Sequence, residues 1–393
     1  MRQVLYLAWR YLAFHRIKTA ILVTAITLIF YLPVGLRVLV EQSSEQLTAR
    51  AEATPLLVGS KGSPLELVLN SLYYRSEYPQ PIPYSESERI RESGLAQPIP
   101  LYARYHSRGN PIVGTSFEYF EFRGLRVESG RQLGMLGECI LGARVAENLG
   151  VGPGDHVISS PESVFDIAGV YPLKMPVVGV LAFSDSPDDD AILVDIKTTW
   201  VIEGLAHGHQ DMSKPESAPG VLAVEGKNVV ANASVMQYNE ITADNAASFH
   251  FHGDLSAFPL TAVVAVPPDQ RDAAMLRGRY QAADDVAQIA VPSEVMDELL
   301  ATILTVQRFV IAGAIILGLA TLASASLVFM LSLRLRRREI TTLFKIGGSR
   351  SAVGMVMASE VVVVIVSGAM IAALLTLATQ QFGAVVIRAL VRM

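Results

Sequence analysis

Three stretches of this chain read as apolar rods. Residues 19–36, 309–333 and 361–387 contain no Asp, Glu, Lys or Arg. A helix needs roughly 20 apolar residues to cross the hydrocarbon of a bilayer. The second and third stretches exceed that length, and the first reaches 18 residues. A cleaved signal peptide would carry a shorter apolar core, about 7–15 residues, followed by a small-residue cleavage site. Arg37 to Glu45 follow the first stretch instead, so an uncleaved span is expected. The pattern predicts transmembrane helices at 19–40, 303–334 and 351–387. A lead-in at 1–18, a link at 335–350 and a tail at 388–393 complete the membrane part.

Between the first and second spans lie residues 41–302, where the periodicity changes. Residues 41–55 continue as a polar stalk helix. Beyond it, short apolar runs broken by Gly, Pro and Asp predict mixed α and β structure. A helix is expected at Ala143–Leu149, a turn at Gly152-Pro-Gly-Asp155 and a strand from His156. Further strands are expected at Pro176–Leu181, Ala191–Val194, Gly220–Val224 and Leu260–Val266. Pro267-Pro268-Asp269 opens a helix to about Tyr280, and a last helix from Ser293 should run straight into the second span. The expected fold is a membrane protein of class α+β: three transmembrane helices with a large mixed α/β periplasmic domain of two lobes inserted between helices 1 and 2.

Charge sets the orientation. The net charge is −5, yet the segments flanking the apolar rods are net positive while residues 37–308 carry a net −15. Residues 1–18 hold Arg2, Arg10, Arg16 and Lys18 and no acid, and the link holds Arg336, Arg337, Arg338, Lys345 and Arg350 against Glu339 alone. Short positive segments stay on the cytoplasmic side, so the N-terminus and the link belong inside. The acidic middle belongs outside, and its charge disfavours nucleic acid as a partner. Leu335, Ile340, Leu343 and Phe344 recur at near-helical spacing, which predicts an amphipathic helix ended by Gly347-Gly348.

A resemblance to a known family enters on three motifs. The first is Arg337-Arg338-Glu339-Ile340-x-x-Leu343, then Gly347-x-Ser349-Arg350, then Glu360 opening an apolar helix. The second is Gly142-x-x-x-Ala146-x-x-Leu149-Gly150-x-x-x-Gly154-Asp155. The third is Leu57-Val58-Gly59-Ser60-Lys61-Gly62-Ser63, just beyond the first span. In this order they resemble the MacB/LolE/FtsX permeases of ABC systems. The resemblance implies a homodimeric, multi-pass subunit of the bacterial inner membrane with its large domain in the periplasm. It also implies a separate cytoplasmic ATPase whose ATP-driven motion reaches that domain, serving export, extraction or mechanotransmission, with a periplasmic adaptor or cargo protein as a further partner. ATPase docking would fall to Arg337, Arg338, Glu339, Ile340, Leu343, Phe344 and Lys345, an apolar face with cations around it. The competing reading of these cations is topology and headgroup anchoring alone. Members of the family usually carry a fourth span; with three spans, parity places the C-terminus outside, while Arg388 and Arg392 oppose that placement, and a half-inserted or surface-lying end after Gln380-Gln381-Phe382-Gly383 is the alternative. Two other classes compete: a regulator of periplasmic partners that exports nothing, and a membrane-tethered metal-binding module.

Chemistry within the chain is sparse. There is no G-x-x-x-x-G-K-[ST], and Gly59-Ser-Lys-Gly-Ser reads as a turn, so ATP hydrolysis is expected in the partner, with no cofactor here. Neither a G-x-S-x-G elbow nor a base for the lone Cys139 is present, and Cys139 reads as a buried small hydrophobe. Asp185, Asp188, Asp189 and Asp190 read as a solvated loop. Two His-x-His pairs stand out, His207-Gly-His209 and His250-Phe-His252. Two imidazoles at this spacing on a strand share a face and suit Zn²⁺, with Asp211 and Asp254 nearby as oxygen donors. The plain alternative is two unrelated polar loops. Glu360, the one charge near membrane depth, reads as structural.

Overall fold

The computed structural model describes residues 2–75, 77–160, 172–208, 221–225, 228–231, 239–281, 286–335, 341–342, 345 and 349–391. It divides into a helical unit, Met1–Ala49 with Asp297–Met393, and an α/β unit, Arg50–Met296.

Three helices of the chain are long and apolar enough to cross a membrane, by length and composition: Arg16–Gln42, Pro292–Ser324 and Gly354–Gly383. Two of them follow the α/β unit. Each belongs to a longer helix. The first runs unbroken from Arg16 to Glu52 with Pro33 inside it, so the apolar run and the polar stalk are one helix. The second runs Pro292–Leu335 and the third Arg350–Val391. Phe309, Ile316 and Leu317 are 65–74% exposed, which suits lipid rather than water as their solvent. A separate helix, Arg2–Phe14, precedes the first and packs on the third.

Within the helical unit the first and third long helices run in the same direction. Thr27 Oγ1 donates to Gly368 O at 3.3 Å, the Tyr31 and Thr379 hydroxyls lie 2.9 Å apart, and Gln42 Nε2 donates to Gln380 O at 2.8 Å. Near the other end of the third helix, Glu360 is buried and lines a cavity of about 380 Å³ with Tyr11, His15 and Lys18.

An eleven-stranded mixed sheet organises the α/β unit. Its path runs Ala287–Ala290, Leu56–Ser60, Ala262–Val266, Gln97–Ser107, Asn110–Thr115, Ile192–Asp195, Cys139–Leu141, Leu173–Leu181, Asn239–Glu240. Val127–Gly130 and His156–Ile158 also pair with Leu173–Leu181. Side-chain alternation explains the strands. Leu173–Leu181 alternates strictly between buried and half-buried positions, as a strand with one covered face must. Ala262–Val266 is an apolar run with its first four residues buried, which fits a strand covered on both faces. Cys139 is fully buried, on a strand between Leu173–Leu181 and Ile192–Asp195. Leu56–Ser60 is a strand, so Gly59 and Ser60 belong to the sheet. The turn expected there is confined to Lys61 and Gly62, after which Ser63 caps the helix Pro64–Tyr73.

Trp200, on the helix Ile196–Ile202, anchors the core at one end of this unit. Its Nε1 donates to Pro259 O at 2.9 Å, while Tyr84, Phe258 and Phe251 meet its ring edge-on at 5.5, 5.1 and 6.2 Å.

The tight contact at Gly368 yields a prediction. A methyl group there would stand 2.6 Å from Ile26 Cγ2, whereas one at Gly354 would meet nothing within 4 Å. Overpacking of this kind costs about 1–3 kcal/mol. Gly368→Leu should therefore lower the melting midpoint of the detergent-purified chain, and Gly354→Leu should leave it in place.

Candidate functional site

The first long helix ends at Glu52 with Arg50 in its last turn. A cation there is favoured by the helix dipole, yet this guanidinium is 9% exposed and faces inward. Its Nη1 donates to Asp188 Oδ2 at 2.7 Å and its Nη2 to Asp188 Oδ1 at 3.0 Å. Nη2 also reaches the hydroxyls of Tyr119 at 2.8 Å and Tyr74 at 3.3 Å. Both hydroxyls donate to Asp188 Oδ1, at 2.8 and 2.7 Å, and lie 2.6 Å from each other. The result is a two-pronged buried ion pair closed by two phenols.

Local sequence builds each part. Asp188 sits in a single 3₁₀ turn, Pro187–Asp190, with a capping box. Ser186 accepts from the Asp188 amide, and Asp189 accepts in return from the Ser186 amide at 3.2 Å. Arg144 grips the same turn through Asp190 at 3.0 Å and Asp189 at 3.5 Å. Gly142 lies beneath it: a methyl group there would collide with the carbonyl oxygens of Asp188 and Asp189. Tyr74 ends the helix Pro64–Tyr73 at φ +53°, a left-handed conformation that costs a non-glycine residue of order 1 kcal/mol. Its hydroxyl is thereby carried to the ion pair.

Electrostatics agree with this arrangement. Burial alone would raise the Asp188 carboxyl. The adjacent Arg50 charge and hydrogen bonds from Arg50, Tyr74 and Tyr119 outweigh it and hold the group down at about 2. Burial raises Tyr74 and Tyr119 above the ordinary phenol value, so both remain protonated donors.

This site corrects the sequence reading of the aspartates. Asp188 and Asp189 are 1% and 0% exposed, so the run 185–190 is no solvated loop: two of its acids are held inside by Arg50 and Arg144. The available signal was Ser186-Pro187-x-Asp189, a capping box with proline at the first helical position. Arg50 and the two tyrosines carried no comparable signal.

Of the residues expected to dock an ATPase, Arg337, Arg338, Glu339, Ile340, Leu343 and Phe344 lie outside the described residues, and Lys345 is exposed in a helical position. Of the histidines, His209 also lies outside them, as does Asp211. The strands Ala206–Gly208 and Phe249–Phe251 form an antiparallel ribbon in which His207 is directly opposite His250. The His252 amide extends the ladder to Leu205 O at 3.1 Å. His250 and His252 are exposed, with ring centroids 4.6 Å apart. Asp254 instead caps the turn Leu255–Ala257, and hydrogen bonds from Ser256 lower its carboxyl. Among the described residues, no three His, Cys, Asp or Glu side chains gather as a metal-ligand cluster.

The sequence model of the MacB-like periplasmic core domain matches residues 19–237, more than half of the chain and all of the anchor. The chain belongs to this family, the MacB/FtsX type of ABC permease. Family members are membrane permeases with a periplasmic domain, and the α/β unit is a domain of that type. Three solved structures are similar at 11–12% identity. The extracellular domain of the noncanonic ABC-type transporter YknZ from Gram-positive bacteria is matched over 60% of this chain and 98% of that one, with a TM-score of 0.33. The periplasmic region of MacB from Actinobacillus actinomycetemcomitans is matched over 63% and 94%, at 0.34. A permease domain from Porphyromonas gingivalis is matched over 60% and 86%, at 0.26. At these scores the family assignment rests on the sequence model. No curated protein matches the chain.

For this family member, removal of either half of the ion pair should be costly. Asp188→Asn and Arg50→Met should each destabilise the α/β unit by about 3–5 kcal/mol, because each strands a buried partner. The double variant Arg50→Met/Asp188→Leu should lose less than the sum, as read by denaturant melts. The pH dependence has a definite sign. The carboxyl lies below its usual value of about 3.9 in the native state, so its contribution is complete above pH 4 and fades as pH falls toward 2. The fall from about 3.9 to about 2 amounts to about 2–3 kcal/mol, and Asp188→Asn should flatten that part of the acid profile.

Proposed function

We propose that this chain is the permease-like membrane subunit of an ABC-type complex, working as a pair of copies with a separate cytoplasmic ATPase. ATP-driven motion is relayed through the first long helix to the domain outside the membrane. One observation carries the reading beyond family membership: the helix that contains the first apolar span continues unbroken to Glu52 and ends in the Arg50–Asp188 pair. A displacement of that helix is therefore delivered to a fixed point in the sheet-bearing unit. Apolar packing tolerates sliding, whereas a bidentate arginine–carboxylate pair resists both translation and rotation.

Docking is assigned to the 335–350 link. Ile340, Leu343 and Phe344 supply an apolar face for a groove on the partner, and Arg337, Arg338 and Lys345 supply charge around it. In this reading the membrane helices serve as transmission and not as a path for substrate.

Two experiments test this. Affinity purification of the intact chain should recover an ATP-hydrolysing subunit. Leu343→Asp and Phe344→Asp should lose it, while Arg50→Met, whose disturbance lies within the α/β unit, should keep it. Failure of the unaltered chain to recover any nucleotide-hydrolysing subunit removes the reading, and full retention by both Asp variants removes the docking assignment. Orientation can be read from thiol labelling. Cys139 is buried and its thiol is pushed well up by burial, so it is a silent background. Ser349→Cys should react with membrane-impermeant maleimide only after cells are opened; labelling in intact cells would invert the arrangement.

A further inference from the structure

The helix Arg2–Phe14 and the first long helix meet at His15. The junction is a bend in one helical path. The His15 amide donates to Tyr11 O and the Thr19 amide to His15 O, at 3.1 and 3.0 Å. Side chains take two carbonyls at the bend: Thr19 Oγ1 donates to Leu12 O at 2.9 Å, and Arg16 Nε to Ala13 O at 3.2 Å. Helical spacing therefore carries through the junction and sorts the residues onto two faces. Ala8, Leu12, Thr19, Leu22 and Ile26 are buried or half-buried. Tyr6, Arg10, Phe14, Ile17 and Ile21 follow one another at i+3 or i+4 and are exposed, with Trp9 and Arg16 exposed beside them.

That exposed face combines two kinds of group. Phe14 and Ile17 are each 81% exposed and Trp9 is 63% exposed, a run of apolar surface that water alone would not favour. Arg10 and Arg16 stand among them, and among the described residues neither pairs with an acid. No Asp or Glu precedes Glu41 in the chain, so the positive charge of this face has no local compensation. Lys18 is not part of it, since it lines the cavity on the inner side with Glu360. The first apolar span opens at Arg16, which sets the bend at the edge of the hydrocarbon. Aromatic rings favour that depth, and arginines there extend their charge toward the phosphates. A guanidinium also matches a phosphate with two parallel N–H donors. An apolar strip with cations of one sign beside it, at this depth, is complementary to a lipid with an acyl chain and a negative headgroup.

We infer that the bend at His15 is a binding site for an anionic phospholipid, with the phosphodiester against Arg10 and Arg16 and an acyl chain along Phe14, Ile17 and Ile21. The inference needs only a chain that crosses a membrane, so it stands apart from the docking of an ATPase. Each cation near an anionic lipid surface contributes about 5-fold in affinity. The lipid holds the start of the first long helix at a set depth in its leaflet.

The test reconstitutes the full-length chain into vesicles of phosphatidylcholine and phosphatidylglycerol, with brominated acyl chains on one lipid or the other, and reads quenching of tryptophan fluorescence. The chain has two tryptophans. Trp200 is 1% exposed within the α/β unit and supplies a constant background, so quenching reports Trp9 and should vanish in Trp9→Phe. Phosphatidylglycerol should be preferred over phosphatidylcholine at Trp9 by about 10-fold or more, as expected for two cations. Arg10→Gln and Arg16→Gln should each cut that preference about 5-fold, and the double variant should abolish it. Both positions are exposed, so the melting midpoints of these variants should match that of the unaltered chain. Arg37→Gln, an exposed arginine beyond the other end of the apolar run, should keep the full preference, and added salt should weaken it in the unaltered chain. Equal quenching by the two lipids in the unaltered chain, or a preference that survives in the double variant, overturns the assignment. Absence of quenching at Trp9 overturns it as well, because the face is then covered by protein, a second copy or another subunit.

Discussion

The structure depends on one buried contact, the guanidinium of Arg50 against the carboxylate of Asp188. Taking two ions out of water carries a large desolvation cost, which only good geometry and further hydrogen bonds can offset. The pair is bidentate, and Tyr74 and Tyr119 add two further hydrogen bonds to Asp188 Oδ1, while Arg50 Nε is buried without a hydrogen-bond partner among the described residues. Apolar residues of like volume could stabilise the same spot about as well. What they could not supply is direction, since four donors and two acceptors define one position for the helix end.

That position is built from pieces far apart in sequence. Arg50 ends a helix, Tyr74 ends another in a left-handed conformation, Tyr119 lies on the short helix Glu118–Arg123, and Asp188 occupies a capped turn. Gly142 ties the group to the family pattern. It opens the Gly142-x-x-x-Ala146-x-x-Leu149-Gly150 element, and its missing side chain lets the backbone of the aspartate turn lie directly upon it. A family motif that reads as a simple strand–helix joint thus also sets the height of the anchor's acidic half. Arg144, two residues on, holds that turn by its other acids.

Periodic elements were legible in the sequence and the site was not. The charge-free runs, the helix Ala143–Leu149, the strand at His156 and the helix running on from Ser293 all follow from local pattern. The second half of the strand Leu173–Leu181 was legible as the short apolar run Pro176–Leu181. The anchor escaped because its four residues are each ordinary in their local context: a basic residue in a last turn, two tyrosines, and one acid among several. Only the tertiary arrangement buries them together. The aspartate run misled for the same reason, since composition reads as solvated where two arginines from elsewhere supply the compensating charge. The histidine ribbon was half legible. Spacing within each pair was evident, whereas the pairing of His207 with His250 is a matter of register across about 40 residues, which no local rule supplies.

The two features differ in how they hold a position, and this bears on what each can do. A buried ion pair is held at both ends by the fold, and its contribution fades only as pH falls from about 4 toward 2. The histidine ribbon is fixed on one face by Trp200 and Phe258 and open on the other. An open, backed surface can meet something from outside without the fold having to move. The ion pair is thus sealed within the unit, whereas the ribbon presents one face at its surface.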